Sequence, residues 1–459
     1  MSIRSFFDSI DIPSRDYVRA INAERARLAS VVTFGCQQNE ADSERIRGIL
    51  CDLGFVLSDN PDVADLIIFN TCAIRAHAED KVLSQLGNYK AKKRNSEDMI
   101  VGICGCMAAE RGVVERIKNK FHYVDFTLEP HSPHTLPELI RDAMERRRRG
   151  FAIGIDDGGI TEEIPVVRKS SFSAWVSVMY GCNNFCTYCI VPYVRGRERS
   201  RRSEDIIKEC KDLVKSGVKE ITLLGQNVNS YRSDMSFAEL IAGIAEIDGD
   251  FIIRFMTSHP KDVSPELISV MQRYTPKIAP YFHLPLQSGS NKILKAMNRT
   301  YDRDKFIDTA GRLRDAIPDI VLSTDIIVGF PGEDDCDFED TLDVLSKVRF
   351  DAVYGFIYSE RDGTPAARFD GKVPQDARSA RLARLFAVQD PISKEKAKAY
   401  LGRHERVLVR SVSQNDIADS VTASNKLVRF KAEGTKPGDL VTVKIITAGA
   451  YELIAEKIK

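Results

Sequence analysis

The chain has 459 residues, too many for one ordinary domain, and its 43% hydrophobic and 29% charged content is that of a folded protein, which excludes wholesale disorder. Lys plus Arg and Asp plus Glu both total 66, so no overall field draws a polyanion to the surface, and nucleic-acid binding would need local patches. Arg4, Asp8, Asp11, Arg15 and Asp16 interrupt the first twenty residues, unlike a signal peptide, and no run of about eighteen apolar residues occurs. A cytoplasmic protein with no membrane contact is expected, and its 10 cysteines are metal ligands or free thiols rather than disulfides.

Residues 1–28 read as a charged leader with no chemistry. From Ala29 the pattern is strand, helix, strand. Ser30–Phe34, Asp65–Phe69 and Met99–Ile103 are apolar, β-branched runs separated by helical periodicity, which predicts a parallel α/β domain over 29–150. Each run ends just before a cysteine: Cys36, Cys72 and Cys106. Open parallel sheets build ligand sites at the carboxyl ends of their strands, so these three could form a tripod of thiolates. Cys104 lies two residues from Cys106 and competes with it on this pattern, and Cys51, Cys210 and Cys336 read as non-ligands. A helix over about 130–150 ends in the basic run Arg146 to Arg149, a solvated face or an RNA contact. Residues 151–169, with Asp156-Asp157-Gly158-Gly159, read as a linker.

A second domain, 170–398, opens with a strand over Phe172–Met179 and then Cys182, Cys186 and Cys189 within eight positions. Three thiolates fill three irons of a four-iron cubane and leave the fourth open for a non-protein ligand, whereas structural zinc calls for four ligands. Five further strands are expected at Glu220–Leu224, Phe251–Met256, Pro280–Leu284, Ile320–Val328 and Asp351–Tyr358, with helices between. Six strand-helix units make an incomplete barrel, and its carboxyl-end loops would carry the site. One such loop is Gly225-Gln226-Asn227. His259 and His283 read as hydrogen-bonded rim residues. Arg195, Arg197, Arg199, Arg201 and Arg202 form a basic segment suited to phosphate. A charged helix from Gln375 to about Ala399 precedes a tail, 399–459, of short alternating strands at Arg406–Val412, Leu427–Lys431, Leu440–Ile446 and Glu452–Ile458, which suggests a small all-β barrel.

The loop Cys182-x3-Cys186-x2-Cys189, with Tyr188 before its last cysteine, resembles the cluster loop of radical S-adenosylmethionine enzymes. Its continuation, Ile190-Val191-Pro192-Tyr193-Val194-Arg195-Gly196-Arg197, resembles the methylthiotransferase branch of that superfamily. So do Gly35-Cys36-Gln37-Gln38-Asn39, Asn70-Thr71-Cys72 and Gly105-Cys106-Met107-Ala108, although Gln38 stands where that branch has Met. The resemblance runs from Ala29 to the C-terminus. It implies an N-terminal methylthiotransferase domain, a central partial (β/α)6 radical-SAM barrel and a TRAM-like RNA-binding barrel. It also implies two 4Fe-4S clusters, one on Cys36, Cys72 and Cys106 and the other on Cys182, Cys186 and Cys189.

By the same resemblance, the open iron of the second cluster binds S-adenosyl-L-methionine, whose reductive cleavage gives a 5'-deoxyadenosyl radical. Tyr188 would pack near its adenine. Gln226 and Asn227 stand roughly where the superfamily often has a Gly-Gly-Glu segment at the methionine amine. Arg195, Arg197 and Arg199 would meet RNA. The activity implied is addition of a methylthio group at carbon-2 of N(6)-dimethylallyladenosine beside the anticodon of tRNA. Electrons would come from a donor such as a flavodoxin or ferredoxin, and the protein would be a monomer. Rival readings are methylthiolation of threonylcarbamoyl-adenosine in tRNA or of a ribosomal-protein aspartate, and a non-catalytic iron-sulfur RNA-binding protein.

Overall fold

In the computed structural model, which describes residues 3–73, 76–96, 98–145, 149–151, 154 and 159–458, the apolar runs of the first third form one parallel sheet. Its order in space is Val56–Leu57, Leu28–Phe34, Leu66–Thr71, Ile100–Gly105, Phe126–Leu128 and Gly150–Phe151. Side chains alternate across each strand, so Leu66 and Ile68 join one apolar layer and Ile67 and Phe69 the other. Helices Gln37–Asp52 and Leu136–Glu145 cover the first face, and Ala76–Asn95 and Arg111–Lys120 the second. A sheet buried on both faces explains why its strands are continuous apolar runs.

By internal contacts the chain forms two units, residues 1–169 with 179–183 and 189–199, and residues 170–178 with 184–188 and 200–459. The residues expected to be a leader are part of the first unit. Phe6, Ile10 and Val18 lie in the same core as Ile46, Leu50 and Leu53, and helix Ile12–Glu24 is held there by Asn22, which donates to the Leu53 carbonyl at 2.8 Å. The expected linker likewise contributes a strand, Ile160–Glu162, paired in parallel with Ile3–Ser5. Within the expected helix over 130–150 the α-helix is Leu136–Glu145. Arg146, Asp156, Asp157 and Gly158 lie outside the described residues, while Arg149 donates to the carbonyls of Val124 and Lys118.

In the second unit all six expected strands form. Ser173–Ser177, Glu220–Leu224 and Ile252–Phe255 make one parallel group, and Tyr281–His283, Val321–Val328 and Ala352–Ile357 another. A parallel bridge from Ile253 to Ile278 links the groups into an arc. Helix Gln375–Lys398 packs on the last strand, where Gly355 leaves room for Leu382, Leu385 and Phe386. Residues 404–457 close into a barrel of five strands, one more than expected, because Ile417–Thr422 is also a strand. Its inward positions are Ala418, Ser420 and Thr422, too small and polar to show an apolar alternation.

The barrel is tied to the arc by buried charge. Arg254 donates to Glu220 at 2.5 Å and to the carbonyls of Thr422 and Ala423 at 2.7 Å each, and Arg410 reaches Glu220 as well. Burial alone would raise the Glu220 carboxyl, but Arg254 and Arg410 outweigh it and hold it below the usual carboxylate range. Among the described residues no helix is long and apolar enough to cross a membrane.

Candidate functional site

The register of the first sheet decides where three of the cysteines stand. Phe34 pairs with Thr71, and Thr71 with Gly105, so the central strands end level with one another. Cys36, Cys72 and Cys106 follow within two residues of those ends. Adjacent strands lie about 4.8 Å apart, and the sequence separation of these cysteines is thereby removed.

The loops are locked together by amides. Asn39 donates to Asn70 Oδ1 at 3.0 Å, and Asn70 donates back to the Asn39 carbonyl at 2.7 Å and to Ser43 Oγ at 2.8 Å. Asn39 Oδ1 accepts from the Cys36 thiol at 3.3 Å. Cys36 caps helix Gln37–Asp52, whose positive end favours a thiolate. A hydrogen bond from Cys72, opposed by burial and aided by the charge of Arg195 and the backbone of Asn39 and Gln38, lowers the Cys36 thiol to about 6. Burial raises the Cys106 thiol in spite of Arg195, and pushes Cys104 up much further.

These donors fit a cluster better than a single ion. Among the described residues no three Cys, His, Asp or Glu side chains close to the spacing of one metal ion. A four-iron cluster spreads its thiolates over separate irons, which suits neighbouring strand ends, and the cation and helix terminus beside them suit its anionic ligands.

Of the second cysteine loop, residues 179–183 and 189–199 belong to the first unit and 184–188 to the second. In the first, Gly181 has φ 76° and no room for a side chain against the Arg197 carbonyl, while Cys182 N–H donates to Gly196 at 3.1 Å. Asn183 and Glu198 exchange backbone-to-side-chain bonds of 3.1 and 3.3 Å. In the second, Asn298 donates to the carbonyls of Asn184 and Phe185 at 3.1 Å each, and Thr187 Oγ1 donates to Ala296 at 2.9 Å. Half-buried Arg299 donates to Cys186 Sγ at 3.4 Å, to Tyr301 at 2.9 Å and to the Pro285 carbonyl at 2.9 Å. Cys182 and Cys186 are buried and Cys189 half-buried.

At the carboxyl end of the arc, Tyr188 packs on a buried cluster that contains Ile293, Met297, Phe330 and Tyr358. Asn227 Nδ2 is committed to Asp262 at 2.8 Å. Asn227 Oδ1, Gln226 Oε1 and the Tyr358 hydroxyl are buried with no hydrogen-bond partner. Orphaned acceptors of this kind are costly unless a ligand satisfies them. They fit a small molecule that carries an ammonium group. His259 packs on Tyr301 with ring centroids 5.5 Å apart, and burial, with the charges of Arg299 and Lys261, lowers it to about 2. His283 bonds Ser323 at 2.9 Å and Asp325 at 3.3 Å.

The expected RNA-contacting arginines do not all face solvent. Arg195 is buried against Cys106 and Asp42, and Arg199 is buried with Nη2 2.9 Å from His131 Nδ1. Arg201 is buried on the Ser177 carbonyl and Glu209. Arg197 and Arg202 are exposed. Arg199 and Arg201, two positions apart at the short strand Arg199–Ser200, turn to the same interior side, whereas Arg197 faces solvent. Two residues of the site carried no signal of their own in sequence: Arg299 and Tyr301, which lie in the irregular chain after helix Asn291–Ala296.

Residues 176–345 match the Radical SAM superfamily, and residues 29–129 match the uncharacterized protein family UPF0004. A tRNA-2-methylthio-N(6)-dimethylallyladenosine synthase of Acetivibrio thermocellus is 47% identical over 96% of this chain and 93% of its own. Relatives of the same name in Clostridium botulinum and Alkaliphilus oremlandii are 46% and 44% identical, over 93% and 96% of this chain and 96% and 95% of theirs. Among solved structures, the radical S-adenosylmethionine methyltransferase TsrM of Kitasatospora setae superposes with a TM-score of 0.55 at 14% identity, over 74% of this chain and 75% of that one. The cobalamin-dependent S-adenosylmethionine radical enzyme OxsB superposes with 0.51 at 13% identity, over 80% and 56%. At those identities the likeness is one of fold.

Proposed function

The chain belongs to the tRNA-2-methylthio-N(6)-dimethylallyladenosine synthase family, and on that premise we propose that Cys36, Cys72 and Cys106 hold one of its clusters and Cys182, Cys186 and Cys189 the other. The protein is a transferase that adds a methylthio group at carbon-2 of N(6)-dimethylallyladenosine beside the anticodon of tRNA, using two 4Fe-4S clusters and S-adenosylmethionine. When bound, these groups supply the carbon radical, the sulfur and the methyl that an aromatic carbon–hydrogen bond requires, since it does not yield to acid or base.

The observation that carries the ligand assignment is the level ending of the three strands at Phe34, Thr71 and Gly105. The chain's own contribution is to bind and orient. Gln226 Oε1 and Asn227 Oδ1 accept from the ammonium of S-adenosylmethionine, and Asp262 fixes the Asn227 amide so that its oxygen stays available. Tyr188, backed by Phe330 and Tyr358, offers an apolar wall to the adenine. Asn39 and Asn70 hold two ligand loops at one height. Arg197, whose side chain is exposed, offers a contact to tRNA phosphate. The protein works as a cytoplasmic monomer and takes electrons from a donor such as a flavodoxin or ferredoxin.

The test is nucleoside mass spectrometry on tRNA carrying dimethylallyladenosine, incubated anaerobically with iron- and sulfide-reconstituted protein, S-adenosylmethionine and a reductant. Wild type should yield the methylthio mass gain. Cys36→Ala should still release 5'-deoxyadenosine while making no methylthiolated nucleoside; full yield from that variant would overturn the ligand assignment.

A further inference from the structure

Arg195 lies six residues beyond Cys189 in sequence, yet its partners belong to the N-terminal domain, Asp42 on helix Gln37–Asp52 and Cys106 just past strand Ile100–Gly105. It is 2% exposed. Nε donates to Cys106 Sγ at 3.0 Å, and Nη1 meets Asp42 Oδ2 at 2.7 Å. Nη2 is buried with no hydrogen-bond partner. A buried guanidinium is costly unless its charge is paired and its N–H groups are used. Here Nε serves the cysteine sulfur and Nη1 faces the carboxylate, and Nη2, on the same edge as Nε, is left over beside that sulfur.

The surroundings say what this donor is for. Apolar Ala73, Ile190 and Val194 pack around Cys106, so water does not screen the site. Asp42 offsets part of the Arg195 charge, and the remaining field falls on Cys106 and Cys36. Hydrogen bonds to cluster sulfur and local net charge are the levers by which a protein sets an iron-sulfur potential.

We propose that Arg195 is the charge-compensating residue of the N-terminal cluster, with Nε holding the Cys106 thiolate and Nη2 donating to the cluster's own sulfur, so that the cluster is reduced at a less negative potential. Arg195 would thus act on the cluster both through Cys106 and directly through Nη2. This rests on the assignment of Cys36, Cys72 and Cys106 as ligands.

The experiment uses the full-length, reconstituted protein with Cys182, Cys186 and Cys189 replaced by Ala, so that only the N-terminal cluster is present. Its midpoint potential is followed by electron paramagnetic resonance together with iron content. Arg195→Gln should lower the reduced-to-oxidised ratio at a fixed potential about tenfold, which is about 59 mV for one electron. Arg195→Lys, which keeps the charge but not the fork, should stay within about threefold of the parent. If Arg195→Gln sheds iron while Arg195→Lys retains it at close to the parent potential, the charge is again what matters.

The inference is overturned if Arg195→Gln keeps full iron at an unchanged potential, or if Arg195→Lys sheds iron as readily as Arg195→Gln, since the role would then be packing. A cluster signal that survives Cys106→Ala in the same background would instead sink the ligand assignment, whatever the arginine variants do.

Discussion

Asn39 and Asn70 bind each other in both directions, the Asn39 amide to Asn70 Oδ1 at 3.0 Å and the Asn70 amide to the Asn39 carbonyl at 2.7 Å. Both are fully buried, and each stands within three residues of a proposed ligand, Cys36 or Cys72. Removing one leaves the other's polar atoms unsatisfied, at a cost of about 1–3 kcal/mol. Asn70→Ala should therefore melt earlier, and after reconstitution should hold less iron at the N-terminal cluster than wild type. Equal iron content by elemental analysis would show that the clamp does not position the cysteines.

Gly105 precedes Cys106 with φ 91°, and a methyl group there would run into Asn70 Oδ1 and the backbone of Thr71. Left-handed backbone alone costs a side chain about 1–3 kcal/mol, and the clash adds to it. Gly105→Ala should lose the N-terminal cluster while the cluster on the second loop still cleaves S-adenosylmethionine. Chromatographic assay of 5'-deoxyadenosine beside the methylthiolated nucleoside separates the two.

His259 is buried neutral, held down first by burial and then by the charges of Arg299 and Lys261, to about 2. Its unfolded value is about 6.5. Between those values the unfolded chain binds a proton that the folded chain refuses, so stability falls as pH falls below about 6.5. At pH 5 the loss is about 2 kcal/mol. In urea titrations at pH 7 and pH 5, His259→Asn should lose less stability on acidification than wild type by about that amount.

Glu220 and Arg254 are a buried pair with side chains 3% and 5% exposed. Removing one partner of such a pair costs about 3–5 kcal/mol, because the other is left charged and alone. Arg254→Met should destabilise the protein by that order in denaturant titration, whereas Arg410→Ala, whose side chain is 34% exposed, should cost about 1 kcal/mol or less.

Much of this fold is legible in sequence where a strand is buried on both faces. Glu220–Leu224 has the expected bounds, and Leu66–Thr71 and Ile100–Gly105 match to within a few residues. What escaped is what tertiary contact decides. Helix Ile12–Glu24 turns Ser14, Val18 and Asn22 inward, so two of its three core positions are polar and its stripe reads as a solvated leader. Ile417–Thr422 hid for a related reason, with Ser420 and Thr422 filling the barrel. The arginine segment was visible as charge, but Asp42, Cys106 and His131 lie far away in sequence, and no local pattern announces that Arg195 and Arg199 point to them.

The ion pair beneath the C-terminal barrel has one more effect. Arg254 grips two carbonyls of the barrel, and Arg410 of the barrel grips Glu220 of the arc, so the last sixty residues do not hang on a tether. Whatever binds the barrel's outer surface is held at a set distance from the carboxyl-end loops of the arc. The barrel and those loops thus move as one piece, and a molecule that touched both would have to match a fixed span.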